Sequence, residues 1–422
     1  MADYKVPGVY VEEPFGLALS IQTGQTAVPV FAFNATKTST DGNDLKEWNE
    51  AIDGTKVTQF DSWLAVTAAL NPKRQNVVQT AISKPPKNGE TDQAKQKAAG
   101  DMAGKNFDNA LAKNALYQSL KLYFLNGGGY CYVAPVDQLT ALVPALDDVT
   151  LLVQAGATPG SFQTAVSTLC GVGKTCFAIF DGPKNELNTN GNSDPNDVVK
   201  QAEGYPDTPY AAVYYPWLTM DGVVDASKKS IPIPPSGAVA GVYARVDRER
   251  GVWKAPANVE IIGAQPAFKV SDAVNAQANV PDSGGKSINV IRAFRGTGPL
   301  IWGARTLQSN QTTWRYVPVR RLFNAVEKDV RTAMSPALFE PNSAPTWERV
   351  RGAVDNYLHG LWKQGALQGS TPEQAYFVQI GLNVTMTKDD IDNGRMVIKV
   401  GLAAVRPAEF IVLQLTQNVV TA

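Results

Sequence analysis

Residues 130–136 read YCYVAPV, 149–153 VTLLV, 176–180 CFAIF and 211–216 AAVYYP. Each is a short run of β-branched, aromatic and small apolar residues, the composition of a strand covered on both faces. Between them, 139–146 is weakly helical, and 162–169 and 197–203 have helical spacing. Strands alternating with helices predict an α/β chain, a helix–sheet–helix sandwich around a mostly parallel sheet. The pattern extends in both directions. Residues 27–33 (AVPVFAF) read as a strand, 60–70 as a helix with Phe60, Leu64 and Leu70 facing in, and 107–125 as a helix. Leu111, Ala115, Leu116, Leu120 and Phe124 form the stripe of that helix, and Gly127-Gly128-Gly129 stops it. Residues 71–106 are rich in Lys, Gln, Gly and Pro and read as an exposed insertion or flexible loop. On the other side, 237–249 is the next helix, and 288–294 and 300–302 add strands.

Past residue 306 the pattern changes. Val319, Leu322, Phe323, Val326, Val330 and Met334 recur at amphipathic spacing, and Ser335-Pro336 ends that helix. A second helix is expected after Thr346 as N-cap, with Trp347, Val350, Val354, Leu358 and Leu361 as its stripe. Thr371-Pro372-Glu373-Gln374 reads as a capping box, followed by a strand over 377–386 and a turn at 392–394 into a strand over 395–404. This is a smaller α+β region. Residues 4–13 (YKVPGVYVEE) and 409–417 are also extended and apolar. A terminal strand leaves backbone groups unpaired unless it finds a sheet edge. If that edge belongs to another copy, the chain is built to polymerise. The expected organisation is an N-terminal arm over 1–25, a core over 26–305, a C-terminal domain over 306–404 and a C-terminal arm over 405–422.

Composition narrows the functions. The chain has 422 residues, with 39 basic and 39 acidic side chains, so a general nucleic-acid or anionic-membrane binder is not expected. There is no apolar run long enough to span a membrane and no signal-peptide pattern at the start. Cys131, Cys170 and Cys176 suit a reducing compartment and give no disulfide framework. The lone histidine, His359, lies in a predicted helix, which leaves Ser-His-Asp and Cys-His catalysis without a base.

The candidate motifs have plain structural readings. GVGKT at 171–175 lacks the first glycine of a phosphate-binding loop, follows a helix, and reads as a helix cap and turn. Asp389, Asp390 and Asp392 have Ile391 where a third calcium ligand belongs, and read as a solvated hairpin. Ser236 reads as an N-cap. No cofactor or metal is expected. Arg320, Arg321, Glu327, Lys328, Asp329 and Arg331 fall opposite the apolar stripe and read as a solvated helix face, one that in an assembling protein would pair with a partner's charges.

Several stretches together resemble the contractile tail sheath proteins of phages, R-type pyocins and extracellular contractile injection systems. They are the opening YKVPGVYVEE, YYPWL (214–218), PPSGAVAGVYARVDRERGVWKAPAN (234–258), GARTL (303–307), WRYVPVRRLF (314–323), FEPN (339–342), LWKQGALQG (361–369) and VGLAAVRPAEF (400–410). Their order and spacing agree along the chain; 71–106 carries none of these stretches, and the outer region is expected to vary.

The resemblance implies a structural, non-enzymatic subunit that stacks as hexameric discs around an inner tube and contracts when the baseplate triggers it. It implies partners in further copies of itself, the tube, baseplate and tail-terminator proteins, and sheath paralogues. It implies assembly in the bacterial cytoplasm and a place in a virion tail or released particle. It makes Val6, Val9, Tyr10 and Val11 one arm strand and Phe410, Ile411, Val412, Leu413 and Leu415 the other, each added to a neighbour, with joints near 14–24 and 405–407. Arg320, Arg321, Lys328, Arg331, Arg349 and Arg351 become candidate tube-facing charges. A type VI secretion-type sheath component and an α/β hydrolase-like enzyme are the alternatives.

Overall fold

The computed structural model describes residues 20–35, 48, 52, 54–83, 93–191, 193–225, 227–282, 284–310 and 312–410. The expected arm strands before residue 20 and after 410 lie outside them. In chain order the strands are β1 Pro29–Phe33, β2 Thr58–Phe60, β3 Cys131–Pro135, β4 Leu151–Val153, β5 Phe177–Asp181, β6 Ala211–Tyr215, β7 Leu218–Thr219, β8 Val259–Glu260, β9 Gln265–Pro266, β10 Asn289–Ala293, β11 Pro299–Ile301, β12 Tyr376–Gln379 and β13 Lys399–Leu402. The helices are α1 Trp63–Ile82, α2 Gln93–Lys113, α3 Ala115–Leu125, α4 Leu139–Leu142, α5 Pro159–Leu169, α6 Val198–Glu203, α7 Ser236–Arg250, α8 Asp272–Asn279, α9 Val317–Met334, α10 Ala344–Lys363, α11 Pro372–Ala375 and α12 Lys388–Asp392.

The chain divides into two compact units. The larger takes the described residues from Gln25 to Ala325 and from Val405 onward; the smaller takes those up to Gly24 and Val326–Ala404. Helix α9 runs from one unit into the other, so 306–325 belong with the larger unit.

The larger unit is built on a nine-stranded sheet in the order β2-β3-β1-β4-β5-β6-β10-β11-β8. From β3 to β10 neighbouring strands run parallel; β2, β11 and β8 are antiparallel. Strand alternation divides the core in two. Phe31, Phe33, Leu151, Val153, Phe177, Ile179 and Tyr214 face α1, α2, α3 and α7. Val30, Ala32, Leu152, Ala178, Phe180, Val213 and Tyr215 face α4, α5, α6 and α8. This is the helix–sheet–helix sandwich that the alternation predicted. Cys131, Cys170 and Cys176 are buried small hydrophobes.

In the larger unit three local expectations change. Residues 71–106 are largely helical, because α1 runs through Pro72 to Ile82 and α2 starts at Gln93. The two helices meet on glycines: a Cβ at Gly100 would lie 2.7 Å from Ile82 Cγ1. Helix α1 begins at Trp63 with Ser62 accepting from the Ala65 N–H, which leaves Leu64 exposed while Val66 and Leu70 are buried. Ser236 is the first residue of α7, and its Oγ accepts from the Ala155 N–H across the sheet's end. Its own N–H donates to Asp181.

In the smaller unit α10 starts after Ser343, with Pro345 in its first turn and Thr346 buried. Asp389, Asp390 and Asp392 lie in α12 rather than in a hairpin, since Thr387 and Asp390 close a reciprocal capping box. No such box forms at Thr371; Gln374 instead accepts from the Ser370 N–H. The expected 377–386 strand is β12 alone. It pairs antiparallel with β13, with Phe377 opposite Gly401. A Cβ on Gly401 would sit 2.2 Å from the Phe377 ring, so glycine is what lets the ring lie across the strand.

Candidate assembly interface

Two of the six candidate tube-facing charges are not on a surface. Arg321 is buried, and its guanidinium forks onto Asp247 of α7, Nη1 to Oδ1 at 2.9 Å and Nη2 to Oδ2 at 2.6 Å. It lies 4.6 Å from the Tyr243 ring centroid. Arg320, also buried, lies 4.3 Å from the Trp314 ring and 4.8 Å from Tyr210, and its Nε donates to Asn324. The amphipathic pattern treats every arginine as solvent-seeking. Here an anion on α7 and three aromatic faces replace the lost hydration. Asp329, assigned to the same charged face, is buried as well.

The remaining four candidates belong to the smaller unit and are wholly or partly accessible: Lys328 is half-buried and Arg331, Arg349 and Arg351 are exposed. Arg349 lies 3.7 Å from Glu340, and Arg351 is paired with Glu348. Phe410, the last described residue, is 69% exposed.

The smaller unit presents apolar groups and strand edges. Around its buried Val350, Ile380 and Met386 pack Met334, Ala337, Trp347, Ile391, Met396 and Ile398. Outside this cluster Leu338, Phe339 and Val384 are 68%, 105% and 63% exposed. Phe339 holds φ +69°, a left-handed conformation a bulky side chain seldom adopts. Asn342 braces the turn, accepting from Trp347 Nε1 at 2.7 Å and donating to the Arg395 carbonyl at 3.0 Å. Among the described residues, β12 and β13 have no neighbours but each other.

The roots of both terminal segments are held by acidic side chains. In the smaller unit the Gly24 N–H donates to Asp329 Oδ1 at 3.0 Å, while Tyr357 donates to Oδ2 at 2.7 Å. A Cβ at residue 24 would come within 2.8 Å of that oxygen. Burial pushes the Asp329 carboxyl up, and these hydrogen bonds oppose it. In the larger unit Thr26 donates to Asp247, and its carbonyl accepts from Arg321. Glu409 accepts from Arg305 Nε at 2.8 Å and Nη2 at 2.6 Å, from Asn279 at 2.8 Å and from Tyr316 at 3.1 Å. Burial pushes the Glu409 carboxyl up, but the hydrogen bonds and charge of Arg305, with Asn279 and Tyr316, bring it below its ordinary value. Sequence reading missed both sites, because Glu409 stands 93 to 130 residues from its partners and Gly24 305 from Asp329, and no local spacing marks them.

The family model described as the phage tail sheath protein central domain matches residues 145–307, and that of the phage tail sheath C-terminal domain matches 309–418. The sheath complex of an extracellular contractile injection system, PVC, in the contracted state is 45% identical, covers 99% of each chain and has a TM-score of 0.76. The helical sheath of the anti-feeding prophage (AFP) in the contracted state is 34% identical over 98% of this chain and 100% of that one, with a TM-score of 0.69. A prophage major tail sheath protein of Pseudomonas aeruginosa (strain UCBPP-PA14) is 28% identical over 217 residues, 50% of this chain and 52% of the relative, so the chain spans about half that relative's length. The α/β sandwich, its family matches and its likeness to assembled sheaths over nearly the whole chain agree: this chain belongs to the contractile tail sheath protein family.

Proposed function

We propose that this chain is the structural and mechanical subunit of a contractile sheath, polymerising helically around an inner tube and contracting to drive that tube through a target envelope. The observation that carries the reading is the end-to-end likeness to a sheath in its contracted state. The two-stranded sheet of the smaller unit supports it, since among the described residues each outer edge lacks a neighbour and is a template for an added strand. The arm strands, Val6 to Val11 and Phe410 to Leu415, are the proposed donors, supplied to neighbouring copies. Each backbone hydrogen bond so formed contributes about 0.5–1.5 kcal/mol net, and repetition over many subunits makes a mesh.

The work comes from two packings of the same surfaces and needs no catalytic step. Lys328, Arg331, Arg349 and Arg351 are the proposed tube-facing charges, with the tube, baseplate, terminator and any sheath paralogues as partners. Assembly in the bacterial cytoplasm and delivery in a virion tail or released particle complete the reading. Negative-stain electron microscopy of the full chain, alone and with tube protein, tests it. Helical tubes or stacked rings are expected, and deleting residues 1–20 should abolish them while leaving a folded monomer. A chain that stays monomeric with tube and baseplate present contradicts the reading.

A further inference from the structure

We infer that Glu409 is a positioning residue, which fixes the root of the C-terminal segment to the larger unit, so that 405–407 is held in place rather than acting as a joint. Val405, Arg406 and Pro407 carry the signature of a joint. Two residues past that proline, however, the chain is held by a carboxylate with four hydrogen bonds on its two oxygens. The hold is shielded: the side chains of Arg305 and Glu409 are 8% and 18% exposed. A bidentate guanidinium–carboxylate pair in that setting is directional as well as strong.

Arg305 is itself tied to the central sheet. Its N–H donates to Asn289 Oδ1 at 2.7 Å and its carbonyl accepts from Asn289 Nδ2 at 2.8 Å. Asn289 lies on β10, is 1% exposed, and also donates to the Val213 carbonyl of β6 at 3.2 Å. The third guanidinium nitrogen reaches the Asn279 carbonyl at the end of α8. Pull on the segment after Glu409 is therefore delivered through Arg305 and Asn289 into the parallel sheet. Gly24, by contrast, is rooted in the smaller unit on Asp329. The outermost described anchor of the C-terminal segment thus lies in the larger unit and that of the N-terminal segment in the smaller, with Thr26 a second, inner hold in the larger. Under the sheath reading proposed above, on which only this mechanical consequence rests, C-terminal connections report movement of the larger unit and N-terminal ones that of the smaller.

Chymotrypsin cleavage after the exposed Phe410, measured on the unassembled full chain, tests the anchor without reference to sheaths. Glu409→Ala should raise the cleavage rate tenfold or more in a chain that is less stable but still folded, and Arg305→Lys, which keeps the backbone bonds to Asn289, should raise it less. Should Glu409→Ala unfold the chain, the Arg305→Lys rate decides. Cleavage at the wild-type rate in a folded variant overturns the inference. A wild-type chain that stays monomeric even with tube and baseplate present would overturn the sheath reading and leave the anchor standing.

Discussion

Among the described residues, the nine-stranded sheet of the larger unit ends on β2 and β8, strands of three and two residues, whereas the smaller unit's sheet is a four-residue pair with no further strand on either side. Buried charges in the larger unit meet partners: Arg321 meets Asp247, Arg305 meets Glu409, and Asp181 takes the N–H groups of Gly156 and Ser236. Large apolar side chains stand in solvent on both units, Leu64, Met102 and Val172 on the larger and Leu338, Phe339 and Val384 on the smaller, but in the smaller they surround only a modest core. Short edge strands and satisfied charges make a fold complete in itself. Open edges and a strained, exposed Phe339 make one that is completed by something else.

The largest effect is expected where the larger unit is most closed. Asp247→Ala strands the Arg321 guanidinium in the core and should cost about 3–5 kcal/mol in urea denaturation, while replacing both residues by apolar ones of similar volume should cost far less. A single substitution costing under about 1 kcal/mol would break the comparison, for it would show the pair to be hydrated.

Asp181 gives a second, pH-dependent test. Burial raises its carboxyl to about 6, against the hydrogen bonds from Ser236 and Gly156. Its folded-state pKa therefore lies above the unfolded one. Its contribution is fully present below about pH 4 and is lost as pH rises through about 6, by at most about 3 kcal/mol. Denaturation of the wild type and of Asp181→Asn across this range isolates it; parallel curves would contradict the assignment.

How much of this was legible in the sequence follows the same division. The strands of the large sheet announce themselves, since residues such as Phe177–Asp181 are buried on both sides and read as apolar runs. The α1–α2 pair does not, because its contact is made by Gly100 and Gly104 against Val78 and Ile82, and glycine reads as a breaker. Arg320 and Arg321 fit an amphipathic helix as well as a buried one. The distant Asp247 and Tyr210, with the nearby Trp314, decide which. Glu409 and Arg305 fall within two quoted family motifs, yet nothing in either run says that they pair.

In the smaller unit, Phe339→Gly removes an exposed side chain from a left-handed backbone and should stabilise the monomer by about 1 kcal/mol. It should at the same time lower the yield of tubes, an opposition of stability and assembly expected only of a surface kept for a partner. Slower exchange in α10 with undiminished tube yield would remove Phe339 from the account. The smallest effect belongs to Arg74–Asp108 on the α1–α2 pair, with side chains 43% and 50% exposed. Arg74→Ala should cost less than about 1 kcal/mol and less still in high salt.

Hydrogen exchange of the full chain before and after assembly tests the division of labour most directly. Protection gained in β12, β13 and the two terminal segments, with β4, β5 and β6 unchanged, is the predicted result. New protection spread over the large sheet, or none in β12 and β13, would contradict it.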